Sequence, residues 1–234
     1  MALALEATGR NPHAYAGHDL LAEITSALGS DGHLATASVL DQALAILAIR
    51  GNGETAPASA VDWLAAAQCP DGGWAYDKPY DPADDDVHCL SVSSPATDYF
   101  ESDTNTTSYA VQALESGGIA AFGVNPFPFF RAIRDAVHAG WGYTWGFQTT
   151  DANSTALVIQ AYVSASRRSP KGSLIALRAL QYTTCGAFAF TWHGSRRSGP
   201  DIGATIGAIP GLLRKALPFK GTVVGDPAIR PACR

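Results

Sequence analysis

Three stretches of the chain start alike. Asp103-Thr104-Asn105-Thr106-Thr107, Asp151-Ala152-Asn153-Ser154-Thr155 and Asp201-Ile202-Gly203-Ala204-Thr205 each place Asp first and Thr fifth. The second follows the first by 48 residues, and the third follows the second by 50. Each opens a run of small and aliphatic residues. The first two runs carry a Gln nine residues after the Asp, at Gln112 and Gln160. Self-similarity at such a period marks a repeat architecture, in which one supersecondary unit is copied and stacked. This constrains the chain more than any composition value, because each unit can bury its apolar face only against its neighbours.

A second marker keeps the same beat. Pro12, Pro57, Pro126, Pro170 and Pro218 each follow an apolar helical stretch, at spacings of 45, 69, 44 and 48 residues. Pro suits the first turn of a helix, where its missing N–H is not needed. After the first four, apolar residues recur at three- and four-residue steps. This predicts amphipathic outer helices near 15–28, 57–68, 126–139 and 170–182. Charge-poor, Ala-rich stretches alternate with them. These predict inner helices, buried on all sides, near 38–50, 103–116, 151–165 and 201–216. The expected fold is therefore all-α, with alternating inner and outer helices. The long spacing places a loop insertion near 77–100. Residues 2–8 align with 156–162 and put Glu6 where Gln112 and Gln160 stand. The chain thus reads as one repeat domain over 1–217, truncated in its N-terminal repeat, with a C-terminal tail at 218–234.

Composition excludes some function classes. Charged residues are 16% and hydrophobic residues 47%, as in a globular chain. The net charge is −5 and the Lys and Arg are scattered, so no basic stripe tracks a nucleic-acid backbone. No run approaches the length of a transmembrane helix. Met1 is followed directly by repeat-like sequence rather than by a leader. The cysteines are Cys69, Cys89, Cys185 and Cys233, and none forms a CxxC. Two readings stand: buried free thiols, or two disulfides in an exported protein. In the second, Cys69–Cys89 clips the insertion and Cys185–Cys233 ties down the tail. It favours an extracellular or cell-surface location, with the cytoplasm as the alternative.

Each outer stretch leads into a turn, most of them rich in Gly and aromatics. The clearest is Gln68-Cys69-Pro70-Asp71-Gly72-Gly73-Trp74; later copies surround Trp141 and Phe188. Gln-x-x-Asp-Gly-Gly-Trp resembles the QW-type repeat of squalene–hopene cyclases and prenyltransferase-like α/α toroids, and the resemblance spans nearly all of 1–217. It implies an α/α toroid, or an open arc of one. It implies a structural role for Gln68, Asp71, Gly73 and Trp74, with the Gln capping and stacking on the Trp. Four inner–outer pairs plus an inner fragment are fewer than a closed ring of this family carries. An open groove is expected, or a ring completed by missing repeats or a protein partner.

The resemblance also supplies two acidic motifs to test. The acidic loop reads Asp81-Pro82-Ala83-Asp84-Asp85-Asp86-Val87-His88-Cys89. The protonating Asp-x-Asp-Asp of class II terpene cyclases fails at Ala83 or Pro82. The Mg²⁺-binding Asp-Asp-x-x-Asp of class I synthases fails at His88 or Cys89. An exposed acidic loop is the simplest reading. The alternatives are a metal site on Asp81, Asp84 and Asp86, or an acid catalyst among Asp84, Asp85 and Asp86. Asp103, Asp151 and Asp201 read as N-caps, because their recurrence demands a repeated structural task. Tyr109, Gln112, Leu157 and Gln160 stand on equivalent inner-helix faces and are the candidate lining of a central pocket. With both motifs broken, the expectation is a non-catalytic toroid domain that needs no cofactor. It would bind an apolar or bulky small molecule, isoprenoid- or corrinoid-like, or a protein partner. The alternative is a terpene-cyclase-like enzyme, or a fragment of one, acting on an isoprenoid.

Overall fold

The computed structural model describes residues 1–34, 38–76, 101–118 and 122–220. Asp81, Asp84, Asp85, Asp86, Cys89 and Cys233 lie outside the described residues. The protein is mostly helical. Nine α-helices follow one another among the described residues: α1 (Ala2–Ala7), α2 (Leu20–Ser26), α3 (Val39–Gly51), α4 (Ala58–Ala66), α5 (Thr104–Glu115), α6 (Phe127–Ala132), α7 (Ala152–Ser164), α8 (Ser173–Ala179) and α9 (Ile202–Leu212). Two-residue strands accompany them. β1 (Trp74–Ala75) pairs antiparallel with β2 (Ser102–Asp103). Of β3 (Phe188–Ala189), β4 (Trp192–His193), β5 (Arg196–Arg197) and β6 (Pro200–Asp201), β3 pairs with β6 and β4 with β5.

The four charge-poor helices pack side by side in the order α3, α5, α7, α9. α4 lies against α3 and α5, α8 lies against α7 and α9, and α2 rests on α3. α6 adds Phe127, Phe129 and Phe130 to the main apolar cluster, where Phe127 meets Tyr162 of α7 at 4.7 Å between ring centroids. Gly207 faces Asn153 and Gly211 faces Ala156, so α9 and α7 run in the same direction. A methyl group at Gly211 would lie 2.6 Å from the Ala156 Cα. Here small residues let two helices touch rather than leave space between them.

α5 and α7 are buried along nearly their whole length, as their lack of charge predicts. α9 is not. Ala204, Ala208 and Gly211 are buried, but Ile202 is 82% exposed, Ile206 67%, Ile209 46% and Leu213 63%. No helix follows α9 among the described residues, so its far side lacks the neighbour that covers α5 and α7. The outer helices are also shorter than the apolar periodicity predicts. α6 stops at Ala132 rather than near 139, because Asp135 Oδ1 accepts the N–H groups of Val137 (2.8 Å) and His138 (3.2 Å) and folds the chain into a turn. Val137, expected on the apolar face, is 83% exposed.

The recurring Asp and Thr have distinct tasks. Asp103, Asp151 and Asp201 each precede an inner helix and accept the N–H three residues on, at 2.7, 2.7 and 2.6 Å. This satisfies one of the orphan donors of the first turn. The Thr at the fifth place reaches back to the preceding turn. Thr107 Oγ1 accepts the N–H of Trp74 (2.8 Å), Thr155 Oγ1 that of Trp141 (3.0 Å), and Thr205 Oγ1 that of Phe188 (2.9 Å). The Thr155 hydroxyl also donates to Trp141 O (3.1 Å), so one hydroxyl serves both backbone groups of a fully buried residue. The indoles then cap the outer helices. Trp74 Nε1–H donates to Leu64 O (2.8 Å) and Trp141 Nε1–H to Phe130 O (2.6 Å), carbonyls in the last turns of α4 and α6. Phe188 has no such donor, and Arg197 supplies one to Ala179 O instead.

Thr155→Val is isosteric but leaves the Trp141 N–H unpaired, while its carbonyl keeps the Asp151 N–H; it is expected to cost about 1–3 kcal/mol in urea unfolding, with Thr155→Ser restoring most of it. Trp74→Ala should cost on the order of 3–5 kcal/mol. An unchanged unfolding midpoint in both variants would remove the clamp from the account of stability.

Candidate functional site

The two ends of the inner helices differ in chemistry. At the N-terminal ends stand the capping aspartates. Asp103 is almost completely buried; its Oδ1 takes the Thr106 N–H, while Oδ2 has no hydrogen-bond partner among the described residues. Burial pushes its pKa up to about 7, against the pull of the Thr106 and Asn105 hydrogen bonds. Asp151 is buried too, but both its oxygens are satisfied, Oδ2 by the Ser154 hydroxyl at 2.8 Å. Burial raises it to about 6. Below Trp141, Asp135 shows the opposite balance. Burial would raise it, but hydrogen bonds from the Thr150 N–H and hydroxyl (both 2.8 Å), the Val137 N–H and His138 bring it to about 2.

Near the C-terminal ends lie two cavities. The first, of about 410 Å³, is bounded by the ends of α3 and α5 and by α4, and its lining includes Arg50, Glu54, Val61, Asp62 and Ser116. The second, of about 420 Å³, is bounded by the ends of α7 and α9 and lined by Ile159, Val163, Arg167, Arg168, Ser169 and Arg214. Arg50 lies in the last turn of α3, twelve residues after its N-cap Ser38, whereas Arg168 lies four residues beyond the end of α7. The Arg50 guanidinium donates to the carbonyls of Ala113 and Leu114 and so caps α5. Arg167 lies over the Phe127 ring at 4.3 Å. Among the described residues, the side chains of Arg168 and Arg214 make no hydrogen bond and no ion pair.

The expected pocket residues sit as follows. Gln112 is fully buried on α5; its Nε2–H donates to Ser108 O (3.1 Å), and its Oε1 accepts the Leu217 N–H (2.9 Å). Gln160 donates to Ala156 O on its own helix (3.3 Å). Tyr109 and Leu157 are half-buried, and burial raises the Tyr109 pKa. Pro218 follows Leu217 and lies against Gly51, beside Glu6, so the end of the described chain crosses three inner-helix positions. In the first turn, Gln68 Nε2–H donates to Gly72 O (2.9 Å) and Val124 O (2.6 Å), and its Oε1 accepts the Val124 N–H (2.8 Å). Asp71 Oδ1 accepts the Gly73 N–H and the Ser102 hydroxyl, both at 2.8 Å. A methyl group on Gly73 would strike Ser102. Neither Cys69 nor Cys185 is free. Among the described residues no group of three His, Cys, Asp or Glu is placed to hold a metal ion, and no helix is long and apolar enough to cross a membrane.

No protein-family model and no curated protein matches the chain. The sequence pattern did not single out Arg167, Arg168 or Arg214.

The two raised aspartates have a defined effect on stability. Each has a folded pKa above the ordinary value of 3.8, so folding takes up a proton. Their contribution is fully present below about 3.8 and is lost as pH rises towards about 6 for Asp151 and about 7 for Asp103. Asp135 works in the other direction, its contribution being lost as pH falls towards about 2. Asp103→Asn keeps the cap without the buried charge. It is expected to stabilise the protein at pH 8 by about 1.4 kcal/mol or more, the equivalent of one pKa unit, and to change little at pH 4. Urea midpoints at both pH values check this; equal effects at the two would reject it.

Proposed function

We propose that this chain is a non-catalytic domain of the α/α-toroid kind, or an open arc of one, that binds an apolar or bulky small molecule. One observation carries it: the cavity of about 420 Å³ at the ends of α7 and α9, whose lining joins Val163 to Arg167, Arg168, Ser169 and Arg214. Its size lies within the range of small-molecule sites. The side-by-side row of α3, α5, α7 and α9 with helices across it supports the toroid reading. The exposed Ile202, Ile206, Ile209 and Leu213 on α9 support a further repeat or a protein partner continuing that row. Val163→Trp fills the cavity, and should abolish binding of a neutral apolar dye, N-phenylnaphthylamine, while the far-ultraviolet circular dichroism stays unchanged. Dye binding that survives this substitution counts against the site.

A second reading, a terpene-cyclase-like enzyme acting on an isoprenoid, is favoured by the state of Asp103. A buried carboxyl with a free Oδ2 and a pKa near 7 keeps a proton available at neutral pH. Isoprenoid turnover that Asp103→Asn abolishes and Asp151→Asn spares would put this reading first.

An exported protein with Cys69–Cys89 and Cys185–Cys233 bridges is the companion proposal. Closing a loop of about 20 residues contributes roughly 3 kcal/mol on the chain-entropy model. Unfolded, unreduced protein from an oxidising host should show no titratable thiol. Four free thiols would reject both the bridges and the argument for export.

A further inference from the structure

Among the described residues α9 ends the row of inner helices, and its outer face is apolar. Ile202, Ile206, Ile209 and the C-cap Leu213 are all exposed. They recur at steps of four, three and four residues, which sets them in one stripe along the helix. Ala204, Ala208 and Gly211, which are buried, lie on the opposite side.

The repeat shows what this stripe is not shaped for. Asp201 follows Asp151 by 50 residues, so Ile202 and Ile206 stand where α7 has Ala152 and Ala156. On α7 that face receives the next inner helix. Gly211 of α9 lies on Ala156, and Ala152, Ala156, Ala204 and Ala208 share one apolar cluster. Such close stacking of helices that run the same way depends on small side chains. With isoleucine at both alanine places, the outer face of α9 does not suit another helix of the repeat.

Two features fit it instead to a copy of itself. The stripe is symmetric about a midpoint between Gly207 and Ala208. A second α9, turned end for end, sets Ile202 against Leu213 and Ile206 against Ile209. The same register brings Asp201, exposed before the helix, to Arg214 and Lys215, exposed after it. Residues 202–213 between them carry no charge. The antiparallel arrangement also sets each helix end beside an end of opposite polarity. A patch that complements itself in this way closes on two copies and does not grow further.

We propose that α9 is a homodimer contact, in which two copies of the chain pair their Ile202, Ile206, Ile209 and Leu213 stripes antiparallel about a two-fold axis. This deepens the reading that a partner continues the inner row, by making that partner a second copy, and it does not use the cavity. A contact of one helix per copy falls below the roughly 1,200–2,000 Å² of a stable interface, so the dimer forms reversibly with concentration.

Sedimentation velocity of the full chain should show a monomer–dimer equilibrium that shifts to dimer as concentration rises. Ile206→Glu sets two like charges beside the axis and should raise the dissociation constant about tenfold or more. Its circular dichroism should not change, because the side chain is exposed in the monomer. Mixed Ile206→Cys and Ile209→Cys chains should form a disulfide-linked pair faster than either variant alone, since the register opposes these positions. A chain that stays monomeric at every concentration, or a dimer that Ile206→Glu leaves intact, would overturn the proposal. Self-linking of Ile206→Cys ahead of the mixed pair would overturn the antiparallel register. N-phenylnaphthylamine binding, read on the same samples, separates the two readings. A monomer that binds the dye loses the dimer and keeps the cavity, whereas a dimer that binds none loses the cavity alone.

Discussion

Each buried aromatic of the turns depends on a threonine hydroxyl from the next helix. Trp74, Trp141 and Phe188 are essentially without solvent contact, so their backbone groups must find partners inside the protein. Thr107, Thr155 and Thr205 provide them from the first turn of the following inner helix. The Asp four residues earlier sets where that turn begins, so cap and clamp work at a fixed spacing. The ring then reaches the other way, and in two repeats its indole N–H closes the end of the outer helix. One aromatic thus joins the outer helix before it to the inner helix after it. Repeats linked in this manner gain stability from each neighbour rather than from a common centre.

Much of this was legible because it is local and repeated. A cap acts over three residues, and the Thr recurs at the same place in three copies. The inner helices fall within a few residues of their expected spans for the same reason. What was not legible depends on distant partners. Gln68 acts through Val124, 56 residues away, and Gln112 through Leu217, 105 residues away. No periodicity within either helix encodes those partners. Asp135 ends α6 with a turn that apolar spacing alone reads as further helix. The exposed side of α9 is likewise invisible in its composition, since a helix rich in Ile and Ala reads as buried until its neighbours are counted.

Charge is sorted along the inner helices. Aspartates cap α5, α7 and α9 and Arg50 stands in the last turn of α3, placements that the helix dipole favours, whereas α5 ends on Glu115. Burial decides how far each charge is tolerated. Asp201 lies in an exposed β6–α9 junction, whereas Asp103 is sealed beneath β1 and pairs across the ladder with Trp74. The same capping geometry therefore gives an ordinary surface cap in one repeat and a carboxyl that favours its proton in another. The cap survives protonation, because the carboxyl oxygen that takes the Thr106 N–H remains an acceptor in either state.

A repeat protein shows where it has been modified by departing from its own pattern. Small residues along α7 and α9 are explained by close packing at Asn153 and Ala156, so they do not by themselves argue for a central pocket. Arg50 is explained by the carbonyls it caps. The left-handed residues after α7 and α9 are Ser166 and Arg214, where α3 has Gly53. Function is expected where a local rule is broken without a structural gain. By that criterion α9 is where the described chain departs from its own pattern, because Ile202, Ile206, Ile209 and Leu213 are exposed where α5 and α7 are covered.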